Sequence, residues 1–360
     1  MNFKIKRILI ANRGEIAVRI ASTCREMGIE TVAIFAEIEK ELPHSKCTNY
    51  KVGMGAGNLR ETYLNQELLI KIAKEYAVDA IHPGYGLLSE NADFSDLVNK
   101  NGIIFIGPKG DSIRAMGDKK GSKEHVAKLG IPLIPGYHGQ NQTPDFLQDQ
   151  ANKIGFPVLL KASAGGGGKG MRRVDRGEDF AAALESAKRE SLNAFGDDFM
   201  LIEKYLAKPR HIEVQVLSDR HGQHLHLFER ECTIQRRHQK IIEETPSPIM
   251  TDELRVKMTA AAIEIAKSIH YEGAGTVEFM VDETQAFYFL EMNTRLQVEH
   301  PITEGILGID LVKEQILVAA GEKISFQQKD LQARGHALEV RINAENPWNN
   351  FLPATGIIQT

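Results

Sequence analysis

The stretch 157–174, PVLLKASAGGGGKGMRRV, decides how the rest of the chain is read. PVLLK (157–161) is a short apolar run of strand character, and MRRV (171–174) is a second. Between them lie Gly165, Gly166, Gly167, Gly168, Lys169 and Gly170, where backbone N–H groups stand open to phosphate oxygens and a lysine adds charge. No Ser or Thr follows Lys169, and the next residues alternate as a strand, which excludes a P-loop. A dinucleotide fingerprint also needs a following helix. Two readings stay open: a hairpin flap that closes over a triphosphate, and a plain flexible turn. Lys161 and, upstream, Lys119 are further cations for the same phosphates, although each alone also reads as a solvated charge.

Toward the N-terminus the texture is β-α-β. RILIA (7–11) reads as a buried strand, 12–15 as a turn, and Ile16, Ile20, Cys24 and Met27 recur at helical spacing. TVAIF (31–35), 79–81 and 103–106 are further strands, with a helix near 66–76, so a parallel sheet wrapped by helices is expected. A helix over 123–129 ends at Gly130, and Pro132 and Pro135 mark a connector. From 199 to 299 the chain is mostly strand-like, with one helix near 251–270.

The segment 275–291 reads as a hairpin with strands over 276–281 and 286–291. A two-residue turn at Thr284-Gln285 sets Glu278 opposite Glu291. Like charges so placed repel. A bridging Mg²⁺ would remove the penalty, with Asn293 on the same face as a further oxygen donor. A solvent-facing acidic pair in another register is the alternative.

With 360 residues, 42% apolar and 26% charged, the composition is that of a globular chain of roughly two to three domains. A net charge of −4 gives no electrostatic case for nucleic acid or an anionic membrane. Cys24, Cys47 and Cys232 are too scattered for a disulfide framework or zinc cluster. No apolar run reaches the roughly 18 residues of a membrane span, and 1–7 leads directly into a strand, so a cytoplasmic protein is expected. Two crowded polar stretches, 235–240 and 291–301, follow strands, as loop-borne site residues commonly do.

ILIANRGEIAVRI (8–20), IHPGYGLLSEN (81–91), IGPKGDSIRAMGDK (106–119), KASAGGGGKGM (161–171), ERECTIQRRHQKIIEE (229–244) and FLEMNTRLQVEHPITE (289–304) together resemble biotin carboxylase. The resemblance covers nearly all the chain. It implies a fold of α/β and α+β class, the ATP-grasp fold. An N-terminal parallel-sheet, Rossmann-like domain would span 1–115, a linker and lid domain 116–205, and an antiparallel-sheet domain 206–360, with a further C-terminal domain starting at about 334.

The resemblance also implies roles. The glycine loop with Lys119, Lys161 and His238 would meet the phosphates. Glu203 and Leu206 would form the adenine hinge through backbone groups, with Lys204 beside it and His211 and Gln235 on the ribose and nucleotide side. Glu278, Glu291 and Asn293 would hold Mg²⁺ or Mn²⁺. Lys240, Arg295, Gln297, Val298 and Glu299 would line a bicarbonate pocket, and Arg341 would face biotin. Glu299 would act as general base on bicarbonate, which attacks the γ-phosphate of ATP to give carboxyphosphate. CO₂ released beside biotin would then be captured, with Arg341 stabilising the biotin enolate.

Two departures stand out. Residues 36–58 lack the family's serine and acidic pattern, and this is expected to affect only a surface part of the first domain. The family's C-terminal domain continues beyond Thr360, and no Ala/Val-Met-Lys-Met acceptor pattern is present, so biotin is expected on a carrier protein or domain. A carboxyltransferase subunit and a homodimer are the further partners implied. The sequence around 349–353 resembles acyl-CoA carboxylase α-chains, but the final carboxyl acceptor stays open. Competing readings are another ATP-grasp ligase, such as one making carbamoyl phosphate, and an inactive nucleotide-binding fragment.

Overall fold

The computed structural model describes residues 5–163, 171–236 and 239–356. Five short strands, Arg7–Ile10 (β1), Glu30–Phe35 (β2), Tyr50–Gly53 (β3), Ala80–His82 (β4) and Ile104–Phe105 (β5), form a parallel sheet in the order β3-β2-β1-β4-β5. Residues 8–10 are fully buried, as expected of a strand covered on both faces. The helix Gly14–Glu26 turns Ile16, Ala17, Ile20, Ala21 and Cys24 inward, the spacing visible in the sequence. The helices Gln66–Glu75 and Ala92–Lys100 start at Asn65 and Asn91, whose side chains accept the Leu68 and Phe94 backbone N–H groups.

Most of segment 36–58 is exposed, as expected of a surface part of the first domain. It supplies β3, and Glu39, His44 and Ser45 are buried. Glu39 accepts from Arg13 (2.5 Å) and from the Tyr63 hydroxyl (2.5 Å), which ties the segment to the start of the helix that follows β1.

The second sheet is antiparallel: Gly136–Tyr137 (β6), Val158–Ala162 (β7), Met171–Val174 (β8) and Met200–Lys204 (β9), in the order β6-β9-β7-β8. With the helices Pro144–Ile154 and Phe180–Phe195 it encloses a small core of its own, centred on Leu147, Val158, Leu160, Phe180 and Ile202. The third sheet comprises Arg210–Ser218 (β10), His224–Arg236 (β11), Gln239–Thr245 (β12), Gly273–Val281 (β13), Phe287–Asn293 (β14) and Ala337–Val340 (β15), in the order β14-β13-β10-β11-β12-β15. The helix Asp252–Ser268, capped by the Thr251 hydroxyl, packs on it. The helix Leu311–Ala320 lies between this sheet and β1, in a core that runs from Ile8 to Leu225. No helix among the described residues is long and apolar enough to cross a membrane. Cys24, Cys47 and Cys232 are free thiols.

The hairpin β13–β14 sets Glu278 opposite Glu291, but by another route than a two-residue turn. Asp282 and Ala286 close a three-residue loop, with Gln285 at φ 65°. Leu290 is the extra residue of a bulge between Glu278 and Phe279, and that bulge restores the pairing. Turn and bulge shift the register in opposite senses, so the short-turn reading gave the right partners.

Phe279 anchors the hairpin, fully buried and edge-on to Phe287 (5.5 Å) and Phe289 (6.5 Å). Urea denaturation of a Phe279→Ala chain is expected to show a loss of about 3–5 kcal/mol. Val256→Ala, at a 67% exposed position, should stay within about 0.5 kcal/mol of the unaltered chain.

Candidate active site

A cleft of about 1000 Å³ separates the second sheet from the third. Strand alternation builds its first wall: Val158, Leu160, Met200 and Ile202 enter the small core, so Leu159, Lys161, Leu201 and Glu203 face the cleft. Glu203 is buried and accepts from Lys123 Nζ (2.5 Å) and Lys161 Nζ, with His138 Nε2 at 3.3 Å. Burial alone would raise the Glu203 carboxyl. His138, Lys161 and Lys123 outweigh it and hold the group well below the usual carboxylate range.

The facing wall carries His211, Gln235, Lys240, Glu278, Glu291 and Asn293. Lys240 Nζ is the meeting point, donating to Glu213 Oε2 (2.5 Å), Glu299 Oε1 (2.6 Å) and Glu278 Oε1 (3.0 Å). Burial opposes its charge, but Glu213, Glu278 and Glu299 prevail and push its pKa up. Glu213 and Glu278 are held down in return, against burial, chiefly by Lys240. Glu278 also accepts from Asn293 Nδ2 (2.8 Å) and Gln297 Nε2 (2.9 Å), and His211 Nε2 lies 2.9 Å away.

Beyond β14 the chain turns through 294–299. Glu90, reaching over from the first sheet's domain, accepts from the Thr294 backbone N–H (3.1 Å) and from Arg295 Nε (2.8 Å), and Arg295 Nη2 donates to Asn293 Oδ1 (2.8 Å). Glu299 precedes the helix His300–Leu307 and is clamped from both sides: Oε1 by Lys240, Oε2 by Arg341 Nη2 (2.9 Å). Arg341 Nε donates to the buried Glu243 (2.6 Å), while the Arg341 backbone N–H donates to the Ile241 carbonyl, which fixes it beside β12.

Lys161, Glu203, His211, Gln235, Lys240, Glu278, Glu291, Asn293, Arg295, Gln297, Val298, Glu299 and Arg341 thus line one cleft. Lys204 does not line the cleft: its Nζ donates to the Gly155 and Phe156 carbonyls (2.8 and 3.0 Å) and its backbone N–H to the Pro135 carbonyl (2.7 Å). Leu206, half-buried, follows β9 without lining the cleft. Gly165–Gly170 with Lys169, and His238, lie outside the described residues, as does the side chain of Lys119. Sequence reasoning missed Glu213, Arg230, Glu243 and the role of Glu90. The alternation of His211, Glu213 and Gln215 with Ile212, Val214 and Val216 was the available signal for a polar strand face.

Among the described residues, two trios offer ligand atoms for a metal by spacing: His211, Glu213 and Glu278, and Glu213, Cys232 and Glu299. Lys240 is bonded to the carboxylates of both trios and supplies the positive charge there. Glu278 and Glu291, opposed across the ladder with Asn293 alongside and all lining the cleft, are hard oxygen donors of the kind Mg²⁺ takes together with phosphate oxygens.

Because Glu203, Glu213 and Glu278 lie below their ordinary 4.5, the stability they lend is complete above that pH and is lost as pH falls through the folded-state values. From about pH 7 to about pH 5 the urea midpoint of a Glu203→Gln chain should run parallel to that of the unaltered chain, and below about pH 5 it should decline less steeply. An equally steep decline would remove Glu203 from this account.

Residues 118–327 match the family model described as carbamoyl-phosphate synthase L chain, ATP binding domain, and residues 4–113 match biotin carboxylase, N-terminal domain. The α subunit of a mitochondrial methylcrotonoyl-CoA carboxylase from Dictyostelium discoideum is 53% identical over 98% of this chain, which spans 50% of that protein's length. Biotin carboxylase 2 of Bacillus subtilis is 51% identical, over 98% of this chain and 79% of that one. A biotin carboxylase domain dimer of the Hydrogenobacter thermophilus 2-oxoglutarate carboxylase, in complex with MgADP, ADP and bicarbonate, superposes with a TM-score of 0.88 at 47% identity, covering 97% of this chain and 77% of that one. With this sheet order, this cleft and these relatives, the chain belongs to the biotin carboxylase family and has the ATP-grasp fold.

Proposed function

We propose that this chain catalyses the ATP-dependent carboxylation of carrier-bound biotin by bicarbonate, the first half-reaction of a biotin-dependent carboxylase. The observation that carries this reading is the Glu299 carboxylate held between Lys240 and Arg341 on a cleft floor that faces Lys161 and Lys123. A general base needs its oxygens aimed and its surroundings dry. Glu299 is 2% exposed and fixed at both oxygens.

In this reading bicarbonate lies against Lys240, Arg295, Gln297 and the Val298 backbone, and Glu299 takes its proton as it attacks the γ-phosphate and ADP leaves. Lys119, Lys161 and the loop Gly165–Gly170 with Lys169 draw off charge from the transferred group, with His238 beside them. The adenine and ribose fall to the backbone at Glu203 and Leu206, with Lys204 beside them, and to His211 and Gln235. Mg²⁺ or Mn²⁺ between Glu278, Glu291 and Asn293 would neutralise phosphate charge when bound. Carboxyphosphate then gives CO₂ and phosphate. The phosphate removes the ureido proton of biotin, whose nitrogen attacks CO₂, and Arg341 faces the enolate.

The Hydrogenobacter relative's MgADP and bicarbonate support the ligand set. Names of the relatives favour biotin over ammonia chemistry, and so over a carbamoyl-phosphate product. The partners in this reading are a biotin carrier protein or domain, a carboxyltransferase subunit and a second copy of the chain. We read the compartment as reducing, from the free thiols; the cytoplasm offers one, and the Dictyostelium relative's name gives a mitochondrial one.

Biotin should stimulate bicarbonate-dependent ADP release. In a Glu299→Gln chain turnover should fall by about 10³-fold or more, while ATP affinity by calorimetry stays within about threefold. A collapse of ATP affinity would take the base role from Glu299, and biotin-independent turnover of the unaltered chain would overturn the function.

A further inference from the structure

Arg230, in the middle of β11, is the largest fully buried side chain among the described residues. Every N–H of its guanidinium has an acceptor. Nε donates to Glu213 Oε1 (2.6 Å), Nη1 to Gln215 Oε1 (2.7 Å) and Thr303 Oγ1 (2.9 Å), and Nη2 to Thr276 Oγ1 (3.1 Å) and Gln297 Oε1 (2.8 Å). It does not line the cleft.

A guanidinium has five donors and no acceptor. Whatever faces it must present oxygen, which settles an orientation that an amide alone leaves open. The Gln297 carbonyl oxygen therefore points back into the protein, and its NH₂ points forward, to Glu278 Oε1 and the cleft. A reversed amide would turn a carbonyl oxygen toward the place where an anion is read to bind, and would leave a buried Arg230 donor unpaired. Thr303 lies on the helix that starts just after Glu299, so the same group also fixes that helix against β10 and β13.

We infer that Arg230 is a positioning residue for the anion pocket: from behind the cleft it sets the polarity of the Gln297 amide and so the N–H presented to bicarbonate. The inference rests on the reading of this cleft as the bicarbonate pocket. Lysine at 230 would keep the charge beside Glu213 but has at most three donors and no planar fork.

The test is steady-state kinetics of the 360-residue chain with bicarbonate and MgATP varied separately. Arg230→Lys should raise the KM for bicarbonate about 10- to 100-fold, with the KM for MgATP within about twofold. Thr303→Val, which removes one acceptor on the far side of the guanidinium, should raise the same KM by about two- to fivefold. Combined with Gln297→Met, Arg230→Lys should add less than it does alone, because both act through one amide. A merely structural role would lower kcat or the active fraction and leave the bicarbonate KM unmoved in both single variants, which overturns the inference. Fully multiplicative effects of Arg230→Lys and Gln297→Met overturn it too. If Arg230→Lys does not fold, Thr303→Val decides alone. An unaltered chain without bicarbonate-dependent turnover would instead sink the reading of the cleft, and this inference with it.

Discussion

The structure of the site depends on one buried ammonium, Lys240, shared by three carboxylates. Glu213 and Glu278 are directly opposed on β10 and β13, and Glu299 comes in from the turn before a helix. Opposed carboxylates in a ladder repel, and burial raises that penalty by lowering the local dielectric. Lys240 converts the repulsion into attraction at all three, so β10, β12, β13 and the 294–299 turn can converge. Arg230 behind Glu213, and Arg341 shared between Glu299 and Glu243, add two further cations. A buried set of charges is tolerable only when it is balanced and hydrogen-bonded in this way.

That balance explains why some of the site was legible in the sequence and some was not. The glycine loop, the strands flanking it and the Glu278–Glu291 hairpin are local patterns, read from spacing within a few residues. The hairpin shows the limit of such reading. Its loop length and its bulge at Leu290 each alter the register, and neither leaves a mark in the letters; Gln285 in the left-handed region is no usual turn residue. The pairing was reached because the two shifts cancel.

Glu213, Arg230 and Glu243 went unread for another reason: their partners are distant in sequence. Arg230 meets Thr303 and Gln297 across more than sixty positions, and Glu243 meets Arg341 across almost a hundred. Inside a strand a charged residue normally suggests the solvent face. Only the third dimension shows that Arg230 faces inward and is satisfied at every donor. Within the largely exposed segment 36–58, Glu39 looks like surface in the same way until Arg13 and Tyr63 are seen to enclose it.

The two walls of the cleft solve the same problem with different materials. On the second sheet's side Glu203 gathers Lys123 and Lys161, and that sheet's own core holds Glu203 on its strand. On the floor, Glu299 gathers Lys240 and Arg341. In both places a carboxylate orders long cationic side chains before any anion arrives, so the rotamer entropy of fixing them, about 0.5–1.5 kcal/mol per side chain, is not charged to ligand binding. The carboxylate also competes with the anion for the same cations. At an effective dielectric near 20, unit charges 4 Å apart interact by about 4 kcal/mol, so an incoming oxyanion must bring more negative charge, or better geometry, than the glutamate it joins. In the proposed reaction a triphosphate would do so beside Glu203. Bicarbonate, a single charge, would do so only where neutral N–H donors of fixed polarity supplement the cations, and Gln297, turned outward by Arg230, is such a donor.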